Sequence, residues 1–357
     1  MKIIAIYTHN VGPLNDDSIL LKNDWTEETE KQVLFTGVNG CGKSTLLRAI
    51  AMLWDATGYW LDHQKTLPRK HEAFTWLTQW AEGIVVVVDG VQPLYEQPLA
   101  FVFGTTAWIA TVKAQHPNAV FLGETVKALA KSGSYTRTLD LPQGEWLVEW
   151  CNHRRKMMLS YDNVDAPNMI YLDAEERRWV KPKRNIAEPL PELLSQRWLS
   201  RYIVSEDWKG QLEASLITLK TTQLHRFHEI IRYLNGFLMG KEIVTDIQPN
   251  EGRLRVKIAG KRGVYHYLDE LSSGEHQVLI IIYVVSRWMQ NGSVVLIDEP
   301  DLYVHPSLVS PLLTALEQLV VAERNGQLLI TSHATDVWQR YEHHGVRVEL
   351  GSQNASS

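Results

Sequence analysis

The sequence predicts an α/β protein, a mixed sheet covered by helices, with an inserted α/β lobe in the middle of the chain. Three observations predict it. A short apolar run, Gln32–Phe35, leads straight into a glycine-rich turn and then into a segment of helical spacing. From about Glu242 onward, short apolar runs alternate with helix-patterned segments, the pattern of strands joined by covering helices. Between these regions the regularity is lost and tryptophan accumulates, with ten of the 13 tryptophans lying between Trp54 and Trp208.

In chain order, Lys2–Thr8 and Ser18–Leu21 are β-prone runs around a Gly-, Pro- and Asn-bearing turn, which predicts a hairpin. Asn23–Lys31 is polar and reads as a loop. Gln32–Phe35 is a strand, and Leu46, Leu47, Ile50 and Leu53 place a helix from Ser44 to about Leu53. Gly83–Val91, Ala100–Phe103 and Ala107–Val112 read as strands. Pro189–Ile203 and Gln211–Phe237 read as helical. Strands are then expected at Glu242–Ile247, Arg253–Ile258 and Val264–Tyr267, a helix from about Glu275 to Met289, and a buried strand at Ser293–Ile297. A helix at Pro306–Val321, a strand at Gln327–Thr331, a helix at Thr335–Tyr341 and a strand at Val346–Leu350 close the pattern.

The 357 residues exceed what one compact core usually holds. The expected division is a discontinuous head of residues 1–60 and 240–350, a lobe of 61–239 serving as lid and docking surface, and a tail of 351–357. In the lobe, the tryptophans are expected to anchor small cores, with a partner surface as the sharper alternative. At 45% hydrophobic and 22% charged residues, a mainly disordered chain is excluded. A net charge of -5 excludes a uniformly basic nucleic-acid binder but leaves room for a basic patch. Apolar runs such as Ile84–Val88 and Val278–Val285 fall far short of the roughly 18 residues of a membrane span, and residues 1–10 carry no leader pattern. With two cysteines, Cys41 and Cys151, no disulfide framework or zinc spacing arises, and a cytoplasmic location is expected.

Two motifs carry chemistry. Gly37-Val38-Asn39-Gly40-Cys41-Gly42-Lys43-Ser44, followed by Thr45, is a complete P-loop pattern in the right strand-to-helix context. Its glycines let backbone N–H groups converge on phosphates at a helix N-terminus. Lys43 is expected to reach the β- and γ-phosphates, and the Ser44 hydroxyl to ligate Mg²⁺. The second is Val294-Val295-Leu296-Ile297-Asp298-Glu299-Pro300, an apolar strand ending in two carboxylates. Asp298 is expected to hold Mg²⁺, directly or through water, and Glu299 to orient and deprotonate an attacking water.

Leu271-Ser272-Ser273-Gly274-Glu275, just before a helix, resembles the signature motif of ABC-type ATPases, with Ser for the first Gly and Glu for the last Gln. His333, in Leu329-Ile330-Thr331-Ser332-His333, resembles their switch histidine. The Asp298-Glu299-Pro300-Asp301…His305-Pro306 form is similar to soluble ATPases of the RecF and OLD class, not to transporter subunits. The resemblance covers about residues 1–53 and 240–350. It implies an ABC-ATPase head that hydrolyses ATP with Mg²⁺, with Glu299, His333 and Asp298 as the hydrolytic residues. It also implies that Ser272, Ser273 and Gly274 complete the site of another subunit, so that the active form is a nucleotide-sandwiched homodimer or a higher oligomer. Gln92 and Gln97 do not stand in a context that marks the family's Q-loop glutamine.

The resemblance extends to ATPase subunits of anti-phage systems such as Septu, Gabija-like OLD proteins and PARIS. This implies a nucleotide-gated switch controlling a separate effector, a nuclease or toxin. The alternatives are a RecF-like DNA-repair ATPase, a transporter's nucleotide-binding subunit and a scaffold that binds ATP without turning it over. Nucleic acid is a candidate partner. Two clusters, His153-Arg154-Arg155-Lys156 and Arg177, Arg178, Lys181, Lys183 and Arg184 around Trp179, have the charge pattern of phosphate contacts, with a solvated face as the simpler reading.

Overall fold

The structure, a computed structural model, describes residues 1–23, 28–128, 135–159, 164–179, 194–203, 211–248 and 252–351. Within these, two six-stranded sheets and one three-stranded sheet form the frame. The first contains β1 (Ile3–Val11), β2 (Ser18–Leu20), β4 (Ala81–Val88), β5 (Leu99–Thr105), β6 (Val120–Ala128) and β7 (Tyr135–Asp140), in the order β2-β1-β4-β5-β6-β7. Its neighbours are antiparallel except β5 and β6, which run parallel. The second is wholly parallel. It orders β15 (Val346–Glu349), β3 (Gln32–Thr36), β14 (Gln327–Thr331), β13 (Val294–Ile297), β8 (Met169–Leu172) and β9 (Leu199–Arg201) as β15-β3-β14-β13-β8-β9. The third is an antiparallel ribbon of β10 (Lys241–Val244), β11 (Arg255–Ile258) and β12 (Tyr265–Tyr267).

Strand alternation explains how these sheets stack. In the parallel sheet, Val33, Phe35, Tyr171, Leu296 and Leu329 point to one core, and Leu34, Leu172, Ile297, Leu328 and Ile330 to another. The first core lies between the two sheets and holds α1 (Lys43–His63), which touches strands of both. The second lies under α5 (Gln211–Thr222), α6 (Leu224–Phe237), α7 (Ser273–Trp288), α8 (Pro306–Leu316) and α9 (Thr335–Tyr341). The outer face of the antiparallel sheet is covered by α3 (Thr106–Gln115), through Ile109 and Val112. Two further helices, α2 (Glu72–Trp80) and α4 (Glu145–Leu159), pack beside α1.

Trp54, Trp60, Trp76, Trp146, Trp150 and Trp198 of the middle region serve the first core, whereas Trp108 of α3 packs on the outer face of the first sheet, Trp179 packs against the second core and Trp80 is exposed. Trp54 and Trp198 stack 4.2 Å apart, and each indole N–H donates to the other's carbonyl at 3.0 Å. Trp60 and Trp150 are fully buried in the same cluster.

The hairpin, the loop strand and the strand–helix alternation after residue 240 form as expected. Three expectations change. Ala107–Val112 belongs to α3, not to a strand, because Ile109 and Val112 lie three apart and dock as one helical face on the sheet. Within Pro189–Ile203, residues 189–193 lie outside the described residues, Leu194–Arg197 is a 3₁₀ turn, and Leu199–Arg201 is β9, the edge strand paired in parallel with β8. Helix α1 runs on to His63, because Trp54, Ala56, Trp60 and Leu61 carry its buried face beyond Leu53; Gly58 lies where a Cβ would be 2.7 Å from the Arg154 guanidinium and from the Trp198 indole. The segment 61–239 supplies β4–β7 to the first sheet and β8–β9 to the second, so both sheets draw on it as well as on the flanking segments. Among the described residues, no helix is long and apolar enough to cross a membrane.

Candidate functional site

The site lies where the parallel strands end. After β3, Gly37, Gly40 and Gly42 take φ values of 143°, 79° and 101°, a region that side chains resist. Space demands glycine too. A Cβ on Gly37 would lie 2.6 Å from the Leu350 carbonyl oxygen and 2.7 Å from Cys41 Sγ, and one on Gly42 would lie 2.8 Å from Leu14 Cγ of the N-terminal hairpin. The loop is therefore wedged between hairpin and sheet, while Val38, Asn39 and Gly40 at its tip are exposed. Gly42 gives α1 no side-chain cap, so the first amides of the helix are left for an anion. Lys43 is buried, and its Nζ donates to the carbonyls of Gly37 at 3.0 Å and Val38 at 3.2 Å. Cys41 fills space in the loop, with Sγ 3.8 Å from that ammonium. Thr45, half-buried, packs its methyl against Gly12 of the hairpin.

Strand order decides what faces this loop. β14 lies between β3 and β13, so the segments following β13 and β14 end beside it. Asp298, after β13, is 3% exposed. Its Oδ1 accepts the Thr331 hydroxyl at 2.6 Å, and the Ser44 hydroxyl bonds to the same carboxylate. Burial raises the Asp298 pKa, and the Thr331 and Ser44 bonds oppose that rise. Glu299 has a left-handed backbone, φ 45°, and its N–H donates to Thr331 Oγ1 at 2.9 Å. Its Oε1 lies 3.5 Å from His333 Nε2. Burial, with Asp298 adding to it, pushes the Glu299 carboxyl above its ordinary value, while His333 pulls the other way. Such a carboxylate is a better proton acceptor than a free one.

The donor set at Ser44 and Asp298, a hydroxyl beside a carboxylate already turned toward it, is hard oxygen and fits Mg²⁺. Among the described residues no group of three or more His, Cys, Asp or Glu side chains could hold a metal ion by itself. A magnesium ion here would take its remaining ligands from phosphate and water.

Ser272 caps α7. Its hydroxyl accepts the Glu275 N–H at 3.3 Å, and Glu275 Oε2 accepts the Ser272 N–H at 2.8 Å, a reciprocal box. Lys241 Nζ grips the same carboxylate at 2.7 Å. Ser272 and Ser273 are exposed, and Gly274 is buried where a Cβ would be 2.8 Å from the Tyr303 carbonyl. The structure thus brings Gly37–Thr45, Asp298, Glu299 and His333 together, and holds Gly274, but not the exposed Ser272 and Ser273, against the chain's own segment after Glu299.

Each basic cluster splits: Arg155, Lys156 and Arg178 are exposed, while one arginine of each is buried. Arg154 is buried, paired with Asp62 at 2.9 and 3.0 Å and lying over the Trp198 ring. Arg177 is fully buried, and Trp179 stacks on His276 at 4.2 Å. Lys181, Lys183 and Arg184 lie outside the described residues. Arg154 and Arg177 turn inward because one finds a carboxylate and a ring there and the other finds carbonyls. Sequence reasoning missed Thr331 and Gln277. A hydroxyl ending an apolar strand, Thr331, was the one signal for the first. Gln277 sits in an apolar helix, where its polarity alone marked it.

A glycine loop opening a helix from a central parallel strand, with carboxylates at the end of the strand next but one, defines a P-loop nucleoside-triphosphatase architecture. Residues 171–335 match the sequence family described as "AAA domain, putative AbiEii toxin, Type IV TA system". A stretch of 76 residues is 38% identical to protein ea59 of Escherichia phage lambda, covering 21% of this chain and 14% of that protein. Among solved structures, an SMC head bound to the C-winged helix domain of ScpA aligns over 94% of this chain and 90% of its own at 12% identity, TM-score 0.46. An SMC head from Pyrococcus furiosus bound to the C-terminal domain of ScpA covers 95% and 91% at 13% identity, TM-score 0.44. A dimeric ATP-binding cassette bound to ADP and phosphate covers 98% and 93% at 12% identity, TM-score 0.38.

Proposed function

We propose that the protein is a Mg²⁺-dependent ATPase of the ABC type that works as a nucleotide-gated dimeric switch controlling a separate effector, a nuclease or toxin, in defence against phage. One observation carries the ATPase reading: the Lys43–Ser44 loop end meets Asp298, Glu299 and His333 at a single edge of the sheet. The match of residues 171–335 to an AAA family supports it. That family's description names a toxin–antitoxin system, and the partial relative belongs to a phage, which supports the defence setting.

The loop amides and Lys43 bind the phosphates, and Lys43 exchanges its two carbonyl partners for phosphate oxygens. Ser44 and Asp298 hold the magnesium ion, which neutralises charge on the phosphates when bound. Glu299 takes the proton of the attacking water. His333 orients Glu299 and donates toward the γ-phosphate. Ser272 and the first amides of α7 in one subunit face the nucleotide of another.

The test is Glu299→Gln. With ATP and Mg²⁺ the variant should bind nucleotide, cease turnover and accumulate dimers in light scattering. Parent-like turnover would show that Glu299 is not the base. The same trapped variant, tagged and recovered from its native host, should bring down a stoichiometric nuclease or toxin-like subunit. Recovery of DNA with repair factors and no effector would instead favour a RecF-like role, and recovery of a membrane permease a transporter role.

A further inference from the structure

The chemistry above gives no task to a buried guanidinium that touches the Glu299 backbone. Arg177 follows β8 and is fully buried, yet among the described residues no carboxylate is its hydrogen-bond partner. Its guanidinium donates to backbone instead. Nη1 reaches the Asp298 carbonyl at 2.5 Å and the Leu172 carbonyl at 3.3 Å, and Nη2 reaches the Glu299 carbonyl at 2.7 Å. Its Nε donates to Gln277 Oε1 at 3.1 Å, and Gln277 Nε2 donates back to the Arg177 carbonyl at 2.5 Å. Burial draws the guanidinium pKa down to about 10, and the nearby charges of Asp298, Asp173 and Glu299 oppose that, so the group stays cationic at neutral pH.

Both ends of this bridge matter to the proposed reaction. One end grips the two peptide groups that set the direction of Glu299, whose backbone is held at φ 45°, a conformation a glutamate rarely adopts. The other end is Gln277, one helical turn beyond Ser273 in α7 and 5% exposed. The segment after Glu299 meets α7 again at Gly274, which lies against the Tyr303 carbonyl. The acidic segment is thus tied to α7 at two places, and α7 begins at the Ser272–Gly274 turn.

We infer that Arg177 is a positioning residue that fixes the direction of Glu299 and, through Gln277, makes it depend on the placement of the helix carrying the Ser272–Gly274 turn. The inference rests on the ATPase reading above. Occupancy of that turn is thereby transmitted to the hydrolytic carboxylate of the same chain. Arginine is suited to the task because its planar fork spans two adjacent carbonyls and a side-chain amide at once, which a lysine ammonium does not.

The experiment compares the parent protein, Gln277→Leu and Arg177→Lys in three measurements: affinity for a fluorescent ATP analogue, kcat and KM for ATP, and hydrogen exchange of residues 298–304 against residues 36–44. For Gln277→Leu the expected result is affinity and KM within about threefold of the parent, kcat lower by about tenfold or more, and faster exchange confined to 298–304. Arg177→Lys should show the same signature, since it keeps the charge and loses the fork. A purely structural role would lower affinity and turnover together and loosen both segments, and that result overturns the inference. So does parent-like kcat with unchanged exchange in Gln277→Leu, or full turnover in Arg177→Lys. If the parent itself failed to hydrolyse ATP, the ATPase reading would fall, while the exchange measurement would still decide whether Arg177 and Gln277 hold the acidic segment.

Discussion

Glu299 is the residue on which the proposed hydrolysis turns, and its surroundings show how one hydroxyl serves two acidic neighbours. Thr331 Oγ1 donates to the Asp298 carboxylate and accepts the Glu299 N–H. Thr331→Val keeps shape and removes both bonds, leaving the buried Asp298 carboxylate with one donor fewer and the Glu299 amide unsatisfied, at a cost of about 1–3 kcal/mol. We expect kcat to fall more than ATP affinity, as read by steady-state kinetics beside a binding titration. Lys43→Ala should act on the other quantity. Loss of a charge-assisted contact worth roughly 1.5–3 kcal/mol should weaken nucleotide binding by about tenfold or more, measured by calorimetry. The loop and the Asp298–Glu299 pair were legible in the sequence because glycine spacing and a carboxylate after an apolar strand have few other uses. Arg177 was not. A buried guanidinium and a solvated one are written with the same letter, and only the carbonyls waiting at the ends of β8 and β13 distinguish them.

At the scale of the element, α7 combines a stabilising cap with the proposed contact to a second subunit. Ser272→Ala removes the cap and should lower stability by about 1 kcal/mol in denaturant unfolding. Ser272→Asn retains a capping oxygen and should recover most of that loss, so any hydrolytic defect remaining in Ser272→Asn belongs to the nucleotide contact. Burial works against the charged form of Glu275, but the bonds from Lys241 and Ser272 outweigh it and hold its pKa below the ordinary value. A carboxylate depressed in this way contributes stability above its unfolded pKa of about 4.3 and loses it as pH falls through the lower, folded value. Unfolding followed from pH 7 downward should therefore show Glu275→Gln less stable than the parent at neutral pH, with the gap closing in acid. Elements with a strong period or a cap in the sequence, such as α7, β13 and the hairpin, were legible for that reason. α3 was not, since Thr, Val and Ile suit either a strand or a helix until a sheet face selects the Ile109–Val112 spacing.

On the whole-molecule scale, one aromatic stack joins the parts. Trp54 on α1, Trp150 on α4, Trp198 beside β9 and Phe101 on β5 pack together, with ring centroids 4.2 to 6.2 Å apart. Trp54→Ala should cost about 3–5 kcal/mol, because it opens a cavity between the sheets and strips the Trp198 indole of the packing around its bond. The check is thermal or urea unfolding, where both sheets should lose structure in one transition. The middle of the chain was hard to read for the same reason. β4 pairs with β1 and β8 pairs with β13 across long stretches of sequence, and local pattern carries no record of such partners.

The strand order of the parallel sheet also has a consequence for biosynthesis. β3, which delivers the phosphate loop, has β14 and β15 as its two neighbours, and these start at Gln327 and Val346. A nascent chain can complete the first, mixed sheet once residue 140 has emerged, but β3 then waits unpaired. At about 5–20 residues per second the wait from residue 140 to the start of β14 lasts roughly 10–40 s. A polypeptide still on the ribosome cannot gate anything with nucleotide, and only the last strands to be made give the loop a sheet to stand on.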